Sequence, residues 1–349
     1  MGRRRAFLSA LAVLTAALIL AGCANSFPSM VAPKLSLPPT STSAVATDCL
    51  TADNVISACT RLGELSTLDP CGLLTLSEFP PDLDASPKPR ESLDYCVFGI
   101  TAGSDKDAEV ELGTLDSVSD SVAQNPGRYD LAGEVLQPAG LELEKSSLQQ
   151  GECDDALQFE GDLVNLEINV FTLSGGAGSQ SLCDAANEVG EALAKVMGGK
   201  TQMQHFTVPK DSIAKLKACS LLDGSNIGGN AVEGQSDTPS GHSCQWTPDP
   251  TNYDLQIGID LEIGSKLESA AAASTSQIHG LQTFTIKYSP SDFSRCEVDT
   301  DRAPWGSAGN GLVEIVSMWV DEPAGQADTA CSLATQMANI VWPKLPAIS

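Results

Sequence analysis

Eleven cysteines are spaced along the 349 residues in an order that repeats. After Cys23 and the close pair Cys49 and Cys59 come two sets of four. Cys71, Cys96, Cys153 and Cys183 are separated by 25, 57 and 30 residues, and Cys219, Cys244, Cys296 and Cys331 by 25, 52 and 35. Such a ladder reads as a duplicated domain. No C-x-x-C occurs and no histidine stands beside a cysteine at zinc-site spacing, which favours disulfides over metal or redox sites. With Cys23 set aside an even ten remain, and a pairing repeated within each set allows three connectivities per set. We expect Cys71 with Cys96, Cys153 with Cys183, Cys219 with Cys244, Cys296 with Cys331, and Cys49 with Cys59. In the chain-entropy account each bond is worth about 3 to 4 kcal/mol.

Cys23 is set aside because of its position. Arg3, Arg4 and Arg5 form a positive start, and Ala6 to Leu20 is an apolar run too short for a comfortable membrane span, the pattern of a signal peptide over residues 1–22. Leu20-Ala21-Gly22-Cys23 resembles the lipobox of bacterial lipoproteins, in which the cysteine thiol accepts a diacylglyceryl group. That resemblance implies a mature chain beginning at Cys23, held on the outer leaflet by acyl chains of the palmitate kind. Burial contributes about 0.8 kcal/mol per methylene, so two or more chains make a lasting anchor. Arg4-Arg5-Ala6-Phe7-Leu8 also resembles a twin-arginine export motif, although a plain arginine n-region fits the leucine-rich run better. Residues 23–60 read as a Pro/Ser/Thr-rich tether ending in the short Cys49/Cys59 segment. At about 3.1 Å per residue its proline-rich part would reach roughly 70 Å from the lipid.

The formal charge is −25, and removing the three arginines of the signal takes it to −28. An excess of acid this large repels nucleic acid and anionic head groups, so no nucleic-acid partner is expected. An exported environment also lets the ten cysteines oxidise.

Residues 61–200 and 201–349 carry the two copies. Cys71-Gly72-Leu73-Leu74-Thr75 and Cys219-Ser220-Leu221-Leu222-Asp223 each predict a short helical turn with leucines facing inward. Cys96-Val97-Phe98 and Cys244-Gln245-Trp246 predict strands whose aromatics pack beside the cystine. Ala108 to Leu112 and Leu255 to Ile263 alternate with period two, as do Leu163 to Phe171 and Leu312 to Val320, the signature of half-buried antiparallel strands. Asn165, Glu167 and Asn169 then face solvent or a partner. Leu182, Ala186, Val189, Leu193 and Val196, and later Leu333, Met337, Ile340 and Val341, recur at helical spacing, with Asp328 as a helix cap. The fold class is therefore α+β: two similar domains, each an antiparallel sheet covered by helices and stapled by disulfides.

These same residues resemble the DUF3558 family of actinobacterial envelope lipoproteins. The first copy has Asp69-Pro70-Cys71-Gly72-Leu73-Leu74-Thr75, Cys96-Val97-Phe98 and Cys183-Asp184-Ala185-Ala186. The second has Cys219-Ser220-Leu221-Leu222, Cys244-Gln245-Trp246 and Cys331-Ser332-Leu333-Ala334, with Lys217-Ala218 where the pattern has Asp-Pro. The resemblance covers about Ser66 to Pro346. It implies an envelope location and a sheet-and-helix form similar to Mog1/PsbP-like domains, and it implies no catalyst.

No residue cluster spells out a reaction. Neither G-x-S-x-G nor H-E-x-x-H occurs, and His205, His242 and His279 are expected at the surface or in turns. Asp105, Asp107, Glu109 and Glu111, Asp154 with Asp155, and Asp299 with Asp301 offer oxygen ligands but lack a calcium loop, so they are expected as solvated charge. The Gly/Ser run Thr172 to Ser179 is expected as a strand-to-helix connection. Tyr95, Phe98 and Trp246 are expected in the core, and Trp305, within Ala303-Pro304-Trp305-Gly306, in an exposed turn. The sequence thus predicts a non-enzymatic, lipid-anchored protein without catalytic, cofactor or metal residues, binding an envelope protein, glycan or small apolar ligand. The alternatives are an envelope hydrolase using a carboxylate pair or a structural subunit of an envelope complex.

Overall fold

The structure is a computed structural model and describes residues 56–86, 90–103, 105–117, 134–136, 141–146, 148, 151–159, 164–173, 180–199, 202–222, 227, 234–247, 255–267, 274–289, 293–306 and 311–347. The signal peptide, Cys23, the tether and Cys49 lie outside them. Among the described residues no helix is long and apolar enough to cross a membrane.

Two seven-stranded antiparallel sheets organise the chain. The first comprises β1 (Arg90–Glu91), β2 (Cys96–Ala102), β3 (Asp105–Ser117), β4 (Glu134–Leu136), β5 (Leu141–Glu144), β6 (Glu152–Gln158) and β7 (Val164–Thr172), in the order β1-β2-β3-β7-β6-β5-β4. The second comprises β8 (Gly234–Asp237), β9 (Ser243–Thr247), β10 (Gln256–Ser265), β11 (Ser274–Ile278), β12 (Leu281–Tyr288), β13 (Phe293–Pro304) and β14 (Leu312–Pro323). Its order is β8-β9-β10-β14-β13-β12-β11, the same path shifted by seven strands. A helix α1 (Ile56–Leu62) precedes the first sheet and α2 (Gln180–Gly199) follows it. A single turn α3 (Ala218–Leu221) precedes the second sheet and α4 (Ala327–Val341) follows it.

Period-two alternation decides which side of each sheet meets its helix. In β10 the buried Ile257, Ile259, Leu261 and Ile263 join Val316, Met318 and Val320 of β14 in one core, with α4 packed on β13 and β14 and α3 on β9 and β10. In the first sheet Leu166, Ile168 and Val170 of β7 lie under α2, whose Leu182, Ala186, Val189 and Leu193 are all buried. Fully burying an aliphatic side chain of this size contributes about 1.5 to 3 kcal/mol, so these stripes hold the layers together. Ile340, although in register with the stripe of α4, is 49 % exposed.

All four pairings expected within the repeats are present: Cys71–Cys96, Cys153–Cys183, Cys219–Cys244 and Cys296–Cys331, with Cα separations of 5.0, 5.1, 5.0 and 5.0 Å. The first and third tie the opening turn of each half to a strand, and the second and fourth tie a central strand to the closing helix. Cys59 is also disulfide-bonded; its expected partner Cys49 lies outside the described residues.

The one departure between the opening turns has a visible consequence. Asp69 caps the turn Pro70–Gly72, its Oδ1 accepting from the backbone N–H of Cys71 at 3.0 Å and of Gly72 at 3.3 Å. Lys217, at the matching position before α3, supplies no side-chain cap. Asp69→Ala should therefore cost about 1 kcal/mol and Lys217→Ala much less. Chemical denaturation midpoints would check this, and equal losses would refute the capping role. The cap expected at Asp328 is not formed. Gln326 occupies the N-cap of α4 without a side-chain bond, and the exposed Asp328 carboxylate, within the first turn, accepts from Lys287 Nζ at 2.6 Å.

Candidate functional site

Each sheet turns a second face away from its helix, and this face is polar yet largely buried. In the second sheet, register places Arg295, Glu297 and Asp299 of β13 opposite Asp321, Trp319 and Ser317 of β14, with Gly258 and Asp260 of β10 one strand further on. Arg295 grips Asp321 with two bonds, Nε to Oδ1 at 2.6 Å and Nη2 to Oδ2 at 2.7 Å, while its guanidinium lies 4.6 Å from the centroid of Trp319. Trp319 lies flat over Gly258, where an added Cβ would fall 2.1 Å from its ring, so only glycine admits the indole. The indole Nε1–H then donates to Asp260 Oδ2 at 2.7 Å, and Ser243 Oγ donates to Oδ1 at 2.5 Å.

Burial dominates the electrostatics of this face. It pushes Glu297 up to about 8, helped by the charge of Asp299, and pushes Asp299 itself up to about 7. It also raises Asp260, and it lifts Glu262 well above the usual carboxylate range with help from the charges of Asp260, Asp299 and Glu297. An ionised carboxylate in low dielectric is costly, so Glu297 and Asp299 titrate near neutrality. Asp299 Oδ1 is a buried acceptor with no hydrogen-bond partner among the described residues.

The first sheet repeats the theme with different residues. Glu109 is 6 % exposed and takes a two-pronged contact from Arg90, Nη1 to Oε1 at 2.7 Å and Nη2 to Oε2 at 2.5 Å. Burial pushes Glu111 up to about 7, with the charge of Glu167 adding to it. Asp154 and Asn165 are buried as well. Paired through the cystines, Asp154 and Glu297 are equivalent acids, each one residue past a cysteine. Their neighbours diverge: Glu152 stands against Arg295, and Asn169 against Trp319.

Several expected placements are therefore corrected. Glu109, Glu111, Asp154, Asp155 and Asp299 are not solvated charge, because a period-two strand fixes the face but not whether that face is covered. Asp155 lies on the helix side, fully buried, accepts from Ser146 N at 2.9 Å and is pushed by burial up to about 6. Asp107 is exposed as expected and Asp301 is half-buried; the side chain of Asp105 lies outside the described residues. Asn165, expected toward solvent or a partner, is 1 % exposed. Trp305 is not an exposed turn aromatic: it is 4 % exposed, donates to Glu91 Oε1 at 3.0 Å and meets Phe206 edge-on at 5.2 Å. Phe98 and Trp246 are buried as expected, and Tyr95 is half-buried. Residues 174–179 of the Gly/Ser run lie outside the described residues.

Of the histidines, His205 is exposed, and so is His279, which sits at φ 50° in the turn between β11 and β12. His242 lies in a turn, as expected, but is not at the surface. It is 1 % exposed, with Nδ1 2.6 Å from Asp94 Oδ1. Asp94 is 148 residues away in sequence, so no local pattern could have announced the pair. A cavity of about 10 Å³, lined by Leu93, Asp94, Gly113 and Ser240 among others, lies beside it and has room for about one water. Among the described residues no three His, Cys, Asp or Glu side chains converge as metal ligands.

Neither a known protein family nor any curated protein matches this chain. Among solved structures there is a faint likeness to MucB, in its complex with MucA(peri), at 12 % identity over 68 % of this chain and 80 % of that one. Its TM-score of 0.13 is too low to relate the two folds.

Proposed function

We propose that this chain is a lipid-anchored protein of the cell envelope, on the extracytoplasmic side, built from two copies of one DUF3558-like, disulfide-stapled domain and serving a binding or accessory role without turnover. The observation that carries the proposal is a scaffold repeated without its chemistry. Strand order and cystine positions are the same in both sheets, while the polar residues on them differ. A catalytic site belonging to the shared scaffold would put the same reactive groups in both copies. The position two residues before the second cysteine of each set is His242 in one half and Asp94 in the other, and the Arg295–Trp319–Asp260 arrangement is replaced by Glu152 and Asn169. Two related but non-identical faces suit recognition. The cavity of about 10 Å³ beside Asp94 does not itself admit an apolar ligand.

One observation supports the hydrolase alternative: Glu297 and Asp299 share a face of β13 and both hold protons near neutrality. Crosslinking in intact cells, followed by identification of what is joined, separates these readings when combined with incubation of the purified chain with envelope polysaccharide. Capture of one recurrent partner without turnover supports binding. Turnover abolished by Glu297→Gln would overturn it in favour of the hydrolase. The anchor has its own expected result: Cys23→Ala should move the protein from the membrane to the soluble fraction, and unchanged membrane retention would remove the lipid from the proposal.

A further inference from the structure

One side chain of the second half is held by a carboxylate of the first, and the geometry of that contact fixes a proton. His242, in the turn between β8 and β9, has its Nε2 3.2 Å from the carbonyl oxygen of Ala214 and its Nδ1 2.6 Å from Asp94 Oδ1. A carbonyl oxygen only accepts, so Nε2 carries a hydrogen. A contact of 2.6 Å between Nδ1 and a carboxyl oxygen requires a second hydrogen between them, because a bare lone pair facing an ionised oxygen at that distance repels. The pair therefore shares one proton, with the His242 side chain 1 % and the Asp94 side chain 19 % exposed.

Asp94 belongs to the loop joining β1 to β2, and this loop is seated in the other half. Leu93 beside it is 2 % exposed and packs in the hydrophobic cluster of the second sheet with Ile213, Ala214 and Ile259. Glu91, at the start of the loop, accepts from Trp305. In the other direction, Phe206 N donates to Thr67 O at 2.7 Å, Asp69 N to Gln204 O at 3.0 Å, and Met203 lies in the core of the first half.

We propose that the proton shared by His242 and Asp94 is a latch: bound, it seats the loop between β1 and β2 in the second half, and lost, it frees that loop so that the halves loosen. The step is a simple transfer. The Nδ1–H bond breaks, the proton goes to solvent base, and a neutral imidazole faces an ionised Asp94 with no change of oxidation state.

The groups around the pair strengthen this response. Asp260 and Glu262 of β10 both feel the charge of Asp94. Tyr95 lies within the field of Glu262 and Glu111. From the turn before α3, Ser212 donates to Glu314 of β14, which Arg302 opposes, and the stem of Lys217 packs near Gly241. Among these groups acids outnumber bases, which opposes an unneutralised charge on Asp94. Burial alone would lower the proton affinity of His242, but the charge of Asp94 and the carbonyls of Ala214 and Ser66 outweigh it, and His242 titrates above the ordinary histidine range. Stability from a raised histidine is complete below its unfolded value of about 6.5 and is lost as pH rises through the folded value.

The chain has three histidines, which makes the test direct. Nitrogen-15 histidine spectra of the full chain in detergent, disulfides intact, should show both ring nitrogens of His242 protonated near pH 7, with its titration above the ordinary histidine range. Hydrogen exchange of a peptide spanning residues 91–96, corrected for intrinsic rate, should accelerate about tenfold across that titration, while β13 and β14 stay protected. Asp94→Asn keeps a donor facing Nδ1 but removes the charge, so the acceleration should vanish. A neutral His242 near pH 7 overturns the latch, as does undiminished acceleration in Asp94→Asn. Should that variant fail to fold, the spectra of the unaltered chain decide.

Discussion

Replacing Glu297 with Gln and Asp299 with Asn in one chain should raise the melting temperature at about pH 8 and leave it nearly unchanged at about pH 4. The reason lies in the polar face of the second sheet. Both groups have folded pKa values raised by burial, to about 8 and about 7, from ordinary values of 4.5 and 3.8. A raised acid is neutral in the fold and ionised in the unfolded chain between those limits, so stability falls as pH climbs through this window and no penalty remains below it. One pKa unit corresponds to about 1.36 kcal/mol, so relief of the pair should return several kcal/mol at the alkaline end. The amides keep acceptor oxygens for the hydroxyls of Tyr288 and Ser317, which bond to Glu297 and Asp299 in the parent. Calorimetry of parent and variant across that range provides the check. A variant less stable than the parent at about pH 8 would mean that the carboxylates are ionised and well paired in the fold.

Converting Cys153 and Cys183 together to Ala should cost more than any single surface change. The bond closes 30 residues, for which chain entropy alone gives about 3.5 kcal/mol. Both residues are almost completely buried, 0 % and 1 % exposed, so lost packing between β6 and α2 adds to it. The same change at Cys219 and Cys244 should be milder, because Cys219 is half-buried and α3 is a single turn. Urea midpoints of the two double variants measure the difference. A loss below about 1 kcal/mol at Cys153 and Cys183 would show that α2 holds its place without the staple.

Much of the scaffold was legible because its determinants are local and periodic. The alternation of Leu255 to Ile263 and Leu163 to Phe171 appears as β10 and β7, and the helical spacing around Leu182 and Leu333 as α2 and α4. Repetition of the cysteine ladder narrowed the pairing to three connectivities per set, and the expected one of them is observed. The number of strands was less visible: β4, β5, β11 and β12 are short or weakly alternating, and their partners, not their own composition, define them.

The candidate site was hardly legible, and for a physical reason. Alternation says that Glu297 and Asp299 oppose the core, but it carries no information about a further covering layer. An exposed acid and a buried one, paired with Arg and Trp across strands, are therefore written with the same letters. Likewise Trp305 looks like a turn tryptophan until Phe206 and Glu91 close over it from distant stretches. Gly258 held the one local hint, since a glycine within a strand marks a place where something large approaches.

None of the four observed cystines crosses from one half to the other, and within each half the bonds follow one another without interleaving. A chain threaded across a membrane amino end first can thus oxidise its thiols in the order in which they emerge. Were the chain delivered in that way, Cys71, Cys96, Cys153 and Cys183 could pair before Cys219 followed, which would disfavour mispairing between the halves.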